Sequence, residues 1–228
     1  MLKEVIDKFY LDNQKDRDQH HFYISDAGKC PRLVFFKFKN APKKAMEANI
    51  LRIFDHGDHI HQLIMQSLLG ARDIHVVSSE IKIPQQEIIS GRADAIVSDG
   101  KELYVLDIKS INSLGFQYLT QAKKDNIDQI QLYLHYFEIP KGILLYVNKD
   151  NQQLKEFFID YNQEHTEFLL KGLVNLKEQI DSNIVPSRLA GYPSDKQCRY
   201  CQFKPVCKIG ESEEMKWEDL KAKIENKD

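Results

Sequence analysis

The sequence lacks three features that would narrow the class of protein at once. It has no charge bias, since 32 Lys and Arg residues face 34 Asp and Glu residues and the formal net charge is −2 at pH 7. The strongly basic balance common in nucleic-acid-binding proteins is therefore missing. No apolar run approaches the length of a membrane-spanning helix, and the first 21 residues are too polar for a signal peptide. We expect a cytoplasmic protein with no membrane partner and with its four cysteines reduced.

What is present is a pair of strand-like segments that carry charge where packing is expected. Residues 91–110, GRADAIVSDGKELYVLDIKS, contain an Asp-Gly dipeptide at 99–100, which is typical of a two-residue hairpin turn. In that register, the period of two along each strand puts Asp94, Asp107 and Lys109 on one face of the sheet. Asp94 and Asp107 would be diagonal neighbours, roughly 7–8 Å apart. The opposite face is ordinary packing, made by Ala95, Val97, Tyr104, Leu106 and Ile108.

Two carboxylates on one face of a buried sheet indicate a site for a hard divalent cation. Burying charged groups without partners is costly, so ordinary core packing does not account for them. Carboxylate oxygens are the ligands that Mg²⁺ and Mn²⁺ prefer. The alternative is a structural ion pair between an aspartate and Lys109.

A long helix predicted at 44–70 offers one histidine to such a site. At about 100° per residue, His61 lies within an apolar arc, whereas His59 lies among polar side chains. Gly57, one turn before His61, would let another backbone or a ligand approach closely. We expect His61 to be a metal ligand, with a histidine packed in the core as the alternative. The arc is centred on Ile50, Phe54, Gly57, Ile64, Met65 and Leu68.

A second helix, predicted at 125–138, carries an amide and a phenol on one face. Gln129 and Tyr133 are four residues apart, so their side chains are neighbours on the helix surface. They could be directed at a phosphate beside the metal. The alternative is a surface amide and a half-buried packing residue.

The four cysteines form the other chemical pattern. Cys198, Cys201 and Cys207 lie within ten residues, and Cys30 lies far upstream. A CxxC pair with two further cysteines and no secretory context favours metal over disulfides. Three ligands plus a distant fourth suit an iron–sulfur cluster, but the spacing alone leaves zinc open. Either metal would tie the end of the chain to its beginning.

These patterns predict an α/β fold with a mixed (α+β) sheet flanked by helices. With 228 residues and 42% hydrophobic residues, we expect one domain with a small appendage made from both chain ends. The expected parts are an N-terminal segment at 1–43, a core at 44–182 and a cysteine-rich C-terminal segment at 183–228. Strands are predicted at 74–83, 87–98, 102–110, 142–148 and 154–160, and further helices at 2–10, 114–121, 163–182 and 213–225.

Taken in order, these residues resemble the RecB-like PD-(D/E)XK nucleases, and within them the iron–sulfur branch. The similarity runs from about residue 25 to residue 208. His61, Asp94, the Asp107-Ile108-Lys109 triplet and Gln129-x₃-Tyr133 match the family's motifs in turn. The four cysteines look like the family's [4Fe–4S] ligands. The branch includes CRISPR-associated exonucleases and the AddB nuclease domain.

The resemblance implies a restriction-endonuclease-like core and a metal-dependent nuclease. Asp94, Asp107, the Ile108 carbonyl and His61 would hold Mn²⁺ or Mg²⁺, and Lys109 would orient the attacking water. Gln129 and Tyr133 would position the DNA backbone, and Cys30, Cys198, Cys201 and Cys207 would bind a [4Fe–4S] cluster.

The family also suggests a substrate and partners. The substrate would be single-stranded DNA ends, degraded 5′ to 3′, in recombination, repair or CRISPR adaptation. Partners would be CRISPR integration proteins or a helicase, while the oligomeric state stays open. One alternative is a non-cleaving or weakly cleaving DNA-end-binding subunit of a CRISPR integration complex. Another is a zinc-stabilised restriction-type endonuclease.

Overall fold

The structure is a computed structural model that describes residues 1–14 and 18–226. The helices are α1 Leu2–Asp12, α2 Pro31–Phe38, α3 Ala48–Leu69, α4 Ser113–Gln117, α5 Lys124–Phe137, α6 Gln163–Asp181, α7 Lys196–Arg199, α8 Lys204–Ile209 and α9 Trp217–Glu225. The strands are β1 Phe22–Tyr23, β2 His75–Lys82, β3 Ile89–Ser90, β4 Arg92–Ser98, β5 Leu103–Ile111, β6 Lys141–Asn148, β7 Leu154–Asp160, β8 Ile184–Val185 and β9 Met215–Lys216. None of the described helices is both long enough and apolar enough to cross a membrane.

The chain divides into two compact units. The sheet unit comprises Tyr23–Ala27 and Asn49–Phe168. The terminal unit comprises Met1–Phe22, Gly28–Ala48 and Leu169–Asp228. Each unit has its own packed interior, and together they give the mixed α/β architecture that the sequence predicts.

The sheet unit is built on a five-stranded mixed sheet with the strand order β2-β4-β5-β6-β7. Strands β5 and β6 are parallel, and the other three neighbouring pairs are antiparallel. A parallel pair requires a crossover connection, which here contains α4 and α5. This connection places α5 beside β5 and β6.

Helix α3 covers the apolar face of β4 and β5. Ile60, 3% exposed, packs against the predicted packing residues Ala95, Val97, Leu106 and Ile108. The arc prediction is confirmed for the second half of the helix, where Ile64, Met65 and Leu68 join the same cluster. It is wrong for the first half, where Ile50 and Phe54 are exposed. Hydrophobic periodicity shows which face of a helix is apolar, but it does not show how far along the helix a partner surface extends.

The hairpin between β4 and β5 differs from the predicted two-residue turn. Ser98 pairs with Leu103, so the connection has four residues, 99–102. The Asp99 carboxylate accepts hydrogen bonds from the backbone N–H groups of Lys101 and Glu102, which stabilises the longer turn. The register is thus shifted by two residues from the prediction. A shift by two keeps every side chain on its predicted face, because the strand period is two.

Helix α5 packs on the opposite face of the sheet, where Gly142 permits its close approach. A Cβ atom at Gly142 would lie 2.6 Å from Ile130 Cδ1 and 3.0 Å from its Cγ1. Ile130 is fully buried, so its side chain has little room to move away. The helix that carries Gln129 and Tyr133 is therefore held at a distance that only glycine allows.

Gly142→Ala is expected to lower the free energy of unfolding by about 1–3 kcal/mol, as overpacking does in well-packed cores. Denaturant unfolding monitored by circular dichroism measures the change. Gly172→Ala in α6 is the control, because nothing lies within 4 Å of the added methyl group. It should raise stability by up to about 1 kcal/mol through helix propensity. Equal effects of the two substitutions would contradict the packing described for α5.

The terminal unit combines short elements from both chain ends. Strands β8 and β9 pair through Ile184–Lys216 and Val185–Met215. The predicted helix at 213–225 is wrong in its first turn, because Met215 and Lys216 extend to pair with β8 and α9 begins at Trp217. Helix α2 begins with Pro31, at a position where a missing N–H costs nothing.

Candidate active site

The charged face predicted for the two strands lies on β4 and β5. The pairing between these strands ends beside it. The β4–β5 ladder runs from Ser98–Leu103 to Ala95–Leu106. One step further would pair Asp94 with Asp107, but the Asp94 side chain enters the ladder instead. Its Oδ2 accepts a hydrogen bond of 2.6 Å from the backbone N–H of Ile108. This bond fixes Asp94 next to the Asp107-Ile108-Lys109 triplet.

Asp107 is a carboxylate in a poorly solvated position. Its residue surface is 3% exposed, and its Oδ2 is buried without a hydrogen-bond partner among the described residues. Lys109 Nζ lies 2.7 Å from this oxygen. The contact is an ion pair, and the ammonium group reduces the cost of burying the carboxylate. Burial raises the pKa of Asp107 from 3.8 to about 6, and the Asp94 charge adds to this rise while Lys109 opposes it.

Lys109 leads into a chain of polar groups on α5. Its Nζ donates to Gln129 Oε1 at 3.0 Å, and Gln129 Nε2 donates to the Tyr133 hydroxyl at 3.4 Å. The Tyr133 hydroxyl donates in turn to the Arg92 carbonyl oxygen at 2.7 Å. The predicted Gln129–Tyr133 pair therefore faces the carboxylate site. The structure connects the pair to Lys109 and to the start of β4.

His61 reaches the site from α3. Its Nδ1 lies 3.4 Å from Asp94 Oδ1, and its side chain is 30% exposed. Burial alone would lower the pKa of His61, but the hydrogen bond and the charge of Asp94 outweigh it and raise the pKa. His59 is 67% exposed and pairs with Asp55 instead. The helical phase predicted for the two histidines is confirmed.

His61→Ala is expected to weaken Mn²⁺ binding about tenfold or more, since a ligand or ligand-orienting group is lost. His59→Ala is the matched control on the same helix and should leave binding unchanged. Isothermal titration calorimetry with Mn²⁺ measures both variants. Equal affinities for the two variants would remove His61 from the site.

The donor set of this site fits a divalent cation, although its side chains do not converge. Among residues 1–14 and 18–226, no three His, Cys, Asp or Glu side chains lie close enough together to hold a metal ion. Two features nevertheless favour a cation here: the buried carboxylate of Asp107, whose ion-pair partner is Lys109, and the nearby carboxylate of Asp94. Oxygen-rich sites of this kind suit Mg²⁺ and Mn²⁺.

Sequence reasoning missed the groups that fix α5 on its far side. Asp128 is fully buried, and its Oδ1 lies 2.8 Å from His165 Nε2. Gln131 donates to the Asp160 carbonyl oxygen and accepts from the Asn162 N–H, both at 2.8 Å. The sequence signal that could have revealed them is the presence of the polar residues Asp128 and Gln131 in a helix that otherwise packs well.

Glu80 is not part of the carboxylate site. It has a left-handed φ of 52° within β2, and its carboxylate pairs with Arg92 Nε at 2.7 Å. The pairing between β2 and β4 keeps one register on either side of Glu80, and its irregularity lies between Val76 and Ser78.

The four cysteines line one cavity in the terminal unit, and all four are free thiols. Burial raises the pKa of Cys30, Cys198 and Cys201, and the charge of neighbouring cysteines adds to each rise. Four thiols around one cavity have the donor chemistry of a metal–sulfur site. As at the carboxylate site, the described thiols do not converge on one point.

The fold and the site define a class of enzyme that comparison also finds. A profile of the PD-(D/E)XK nuclease superfamily matches residues 30–208, which include each predicted site residue. The chain belongs to the PD-(D/E)XK nuclease superfamily, and the protein is a nuclease.

Individual relatives agree with this assignment. The chain is 26% identical over 207 residues to the CRISPR-associated exonuclease Cas4 of Saccharolobus solfataricus. The aligned region covers 84% of this chain and 89% of the relative. The crystal structure of SSO0001 superposes with a TM-score of 0.59 at 23% identity, covering 91% of this chain and 96% of that one. LHK-Exo, an alkaline exonuclease from Laribacter hongkongensis solved with dAMP, gives a TM-score of 0.52 at 11% identity, covering 78% and 93%. The two solved structures support the fold.

Proposed function

We propose that the protein is a metal-dependent exodeoxyribonuclease that hydrolyses phosphodiester bonds at single-stranded DNA ends. The observation that carries the proposal is the buried Asp107 carboxylate, which lies next to Asp94 and is paired with Lys109 at 2.7 Å. The ammonium group of Lys109 balances one negative charge, so the second carboxylate beside it in this poorly solvated position favours a bound cation. The superfamily supplies the reaction type.

In this proposal His61, Asp94, Asp107 and the Ile108 carbonyl hold Mn²⁺ or Mg²⁺. A bound divalent cation lowers the pKa of water and neutralises charge on the phosphate under attack. Imidazole is a better ligand for Mn²⁺ than for Mg²⁺, so Mn²⁺ should support activity at least as well.

In the same proposal, Lys109 orients the attacking water and offsets negative charge in the transition state. One of its three N–H groups is directed to Gln129, which holds the ammonium group beside Asp107. Gln129 therefore acts on the reaction at least through Lys109. A direct contact from Tyr133 to the DNA backbone requires its hydroxyl to leave the Arg92 carbonyl.

The choice of substrate rests on the relatives and on local charge. Cas4 and LHK-Exo are both named exonucleases. Lys123 is exposed at the start of α5, close in sequence to Gln129, and can pair with a phosphate of a bound strand, whereas Lys124 beside it already pairs with Asp128 at 2.6 Å. Single-stranded ends and 5′ to 3′ polarity follow the family resemblance.

The cysteine cavity is proposed to hold one [4Fe–4S] cluster, bound by Cys30, Cys198, Cys201 and Cys207. The support is the set of four free thiols around one cavity. The cluster is assigned a structural role, because its ligands lie in the terminal unit and the carboxylates lie in the sheet unit.

The test is a cleavage assay on single-stranded DNA labelled at either end, with a circular single strand beside it. We expect cleavage in Mn²⁺ and in Mg²⁺, none in EDTA, and no cleavage of the circle. The label that is released first gives the polarity. Cleavage of the circle at the rate of the linear strand would overturn the exonuclease assignment.

The second candidate is a DNA-end-binding subunit of a CRISPR integration complex that cleaves weakly or not at all. Its support is the name of the Cas4 relative. Retained binding of DNA ends without cleavage in any divalent metal would favour it.

A further inference from the structure

Arg32, in the first turn of α2, is a buried cation. Its residue surface is 1% exposed. Three of its nitrogens donate to backbone carbonyl oxygens: Nε to Pro186 at 2.5 Å, Nη1 to Glu211 at 2.8 Å and Nη2 to Glu213 at 3.0 Å. The guanidinium group is therefore well supplied with hydrogen bonds.

Hydrogen bonds to carbonyl groups do not neutralise its charge. Within the described part of the chain, no carboxylate lies within ion-pair distance of Arg32. The side chain of Glu211 pairs with Lys223 instead. A buried charge without a counter-charge is expensive, and buried arginines in proteins are normally paired.

Arg32 does contact one group that can become an anion, a thiol. Arg32 Nη1 lies 3.9 Å from Cys207 Sγ, within the range of a weak N–H···S contact, and Arg32 lines the same cavity as all four cysteines. Cysteines that bind metal do so as thiolates. Four thiolates outweigh the positive charge of a [4Fe–4S] core, so the assembled site would be an anion next to Arg32.

We infer that Arg32 is the counter-charge of the four-cysteine site, donates an N–H···S hydrogen bond to Cys207, and raises the reduction potential of the bound cluster. The inference rests on the cofactor proposed above. A nearby cation favours the state with the extra electron, and hydrogen bonds to cluster sulfurs act in the same direction. Arg32 is a tuning residue and takes no part in DNA hydrolysis.

Arg188 provides a matched control. It also donates to backbone carbonyls in the same segment, including Cys207 O at 2.6 Å and Lys208 O at 3.2 Å, and to the Ser212 hydroxyl at 3.4 Å. It makes no contact with a sulfur atom among its hydrogen bonds, and its guanidinium stacks on Tyr192 at 4.5 Å. Replacing Arg188 removes hydrogen bonds that support the cysteine segment, but it removes no cation that is in contact with a sulfur atom.

The experiment compares wild type, Arg32→Lys, Arg32→Gln and Arg188→Gln, all purified without oxygen. Iron and acid-labile sulfide are measured first, and the cluster is then titrated with dithionite and followed by EPR. At a fixed ambient potential, Arg32→Gln should decrease the ratio of reduced to oxidised cluster about tenfold, which is about 59 mV for one electron. Arg32→Lys and Arg188→Gln should stay near the wild-type potential.

The outcomes distinguish a failure of the inference on Arg32 from a failure of the cofactor proposal. An intact cluster with an unchanged potential in Arg32→Gln overturns the inference and leaves the cofactor proposal standing. If Arg32→Gln loses its iron, retention in Arg32→Lys supports the role of charge, and loss in both variants overturns it.

Wild type with one zinc and no sulfide overturns the cofactor proposal instead. In that case the rate of zinc loss to a chelator replaces the potential as the readout. Faster loss from Arg32→Gln than from Arg32→Lys supports the counter-charge, and equal rates overturn it.

Discussion

Asp107→Asn is expected to abolish DNA cleavage and, in the absence of metal, to stabilise the folded protein. Cleavage should fall by about 10³-fold or more, because the substitution removes a charged ligand and the electrostatic stabilisation that depends on it. The stabilisation arises because asparagine keeps the size of the side chain and removes a buried negative charge beside Asp94.

The pH dependence of this stabilisation follows from the raised pKa. The unfolded chain loses the Asp107 proton around pH 3.8, whereas the folded protein keeps it up to about pH 6. The wild type therefore loses stability as the pH rises through this window, and the penalty is complete above it. Asp107→Asn should gain about 1–3 kcal/mol at pH 7.5, at about 1.4 kcal/mol per pKa unit, and nothing at pH 4.

Thermal unfolding in EDTA at the two pH values measures the effect, beside cleavage assays in Mn²⁺. Asp73→Asn, at an exposed position before β2, is the control and should change neither property. Wild-type cleavage by Asp107→Asn would show that the active site has been misassigned. A loss of stability at pH 7.5 would show that Lys109 compensates the charge fully.

Cys198→Ser is expected to destabilise the terminal unit and to remove the proposed cluster. The cluster would join segments that lie almost a whole chain apart in sequence, so its loss releases a very long loop. On the disulfide analogy, closing such a loop contributes about 4–5 kcal/mol. The terminal unit should therefore unfold well below the wild-type temperature.

Anaerobic thermal unfolding, together with iron and sulfide analysis, tests this expectation. Ser194→Ala, in the same segment, keeps all four thiols and serves as the control. About four irons per chain in wild type and in the control, with loss in Cys198→Ser, is the expected result. A colourless wild type with one zinc would contradict the cluster, while the nuclease assignment would stand.

The charged face could be predicted from the sequence because it depends only on parity along two strands. Asp94, Asp107 and Lys109 share a face in any register shifted by an even number of residues, and the observed shift is two. The register itself could not be predicted. The length of the turn depends on the hydrogen bonds that the Asp99 carboxylate accepts from the backbone N–H groups of Lys101 and Glu102. In the observed register, Asp94 and Asp107 are the next positions beyond the Ala95–Leu106 pair and are opposite each other rather than diagonal.

In the helices, too, features that follow from the local sequence pattern could be predicted, and features that depend on tertiary contacts could not. His61 and Ile64 lie where the helical period puts them, since the period is a property of the helix alone. The exposure of Phe54 depends on where the partner surface ends, which a local pattern does not contain. The bonds of Asp128 and Gln131 to the segment after β7 likewise depend on contacts between distant parts of the sequence.

The central claim is that Asp94 and Asp107 hold a divalent cation on the charged face of the sheet. EPR measures it most directly, by following free Mn²⁺ as it is titrated into metal-free wild type, Asp107→Asn and Asp73→Asn. The account predicts saturable Mn²⁺ binding to wild type and to Asp73→Asn, with affinity reduced about 100-fold or more in Asp107→Asn. Mn²⁺ binding by Asp107→Asn with the wild-type affinity and stoichiometry would contradict it.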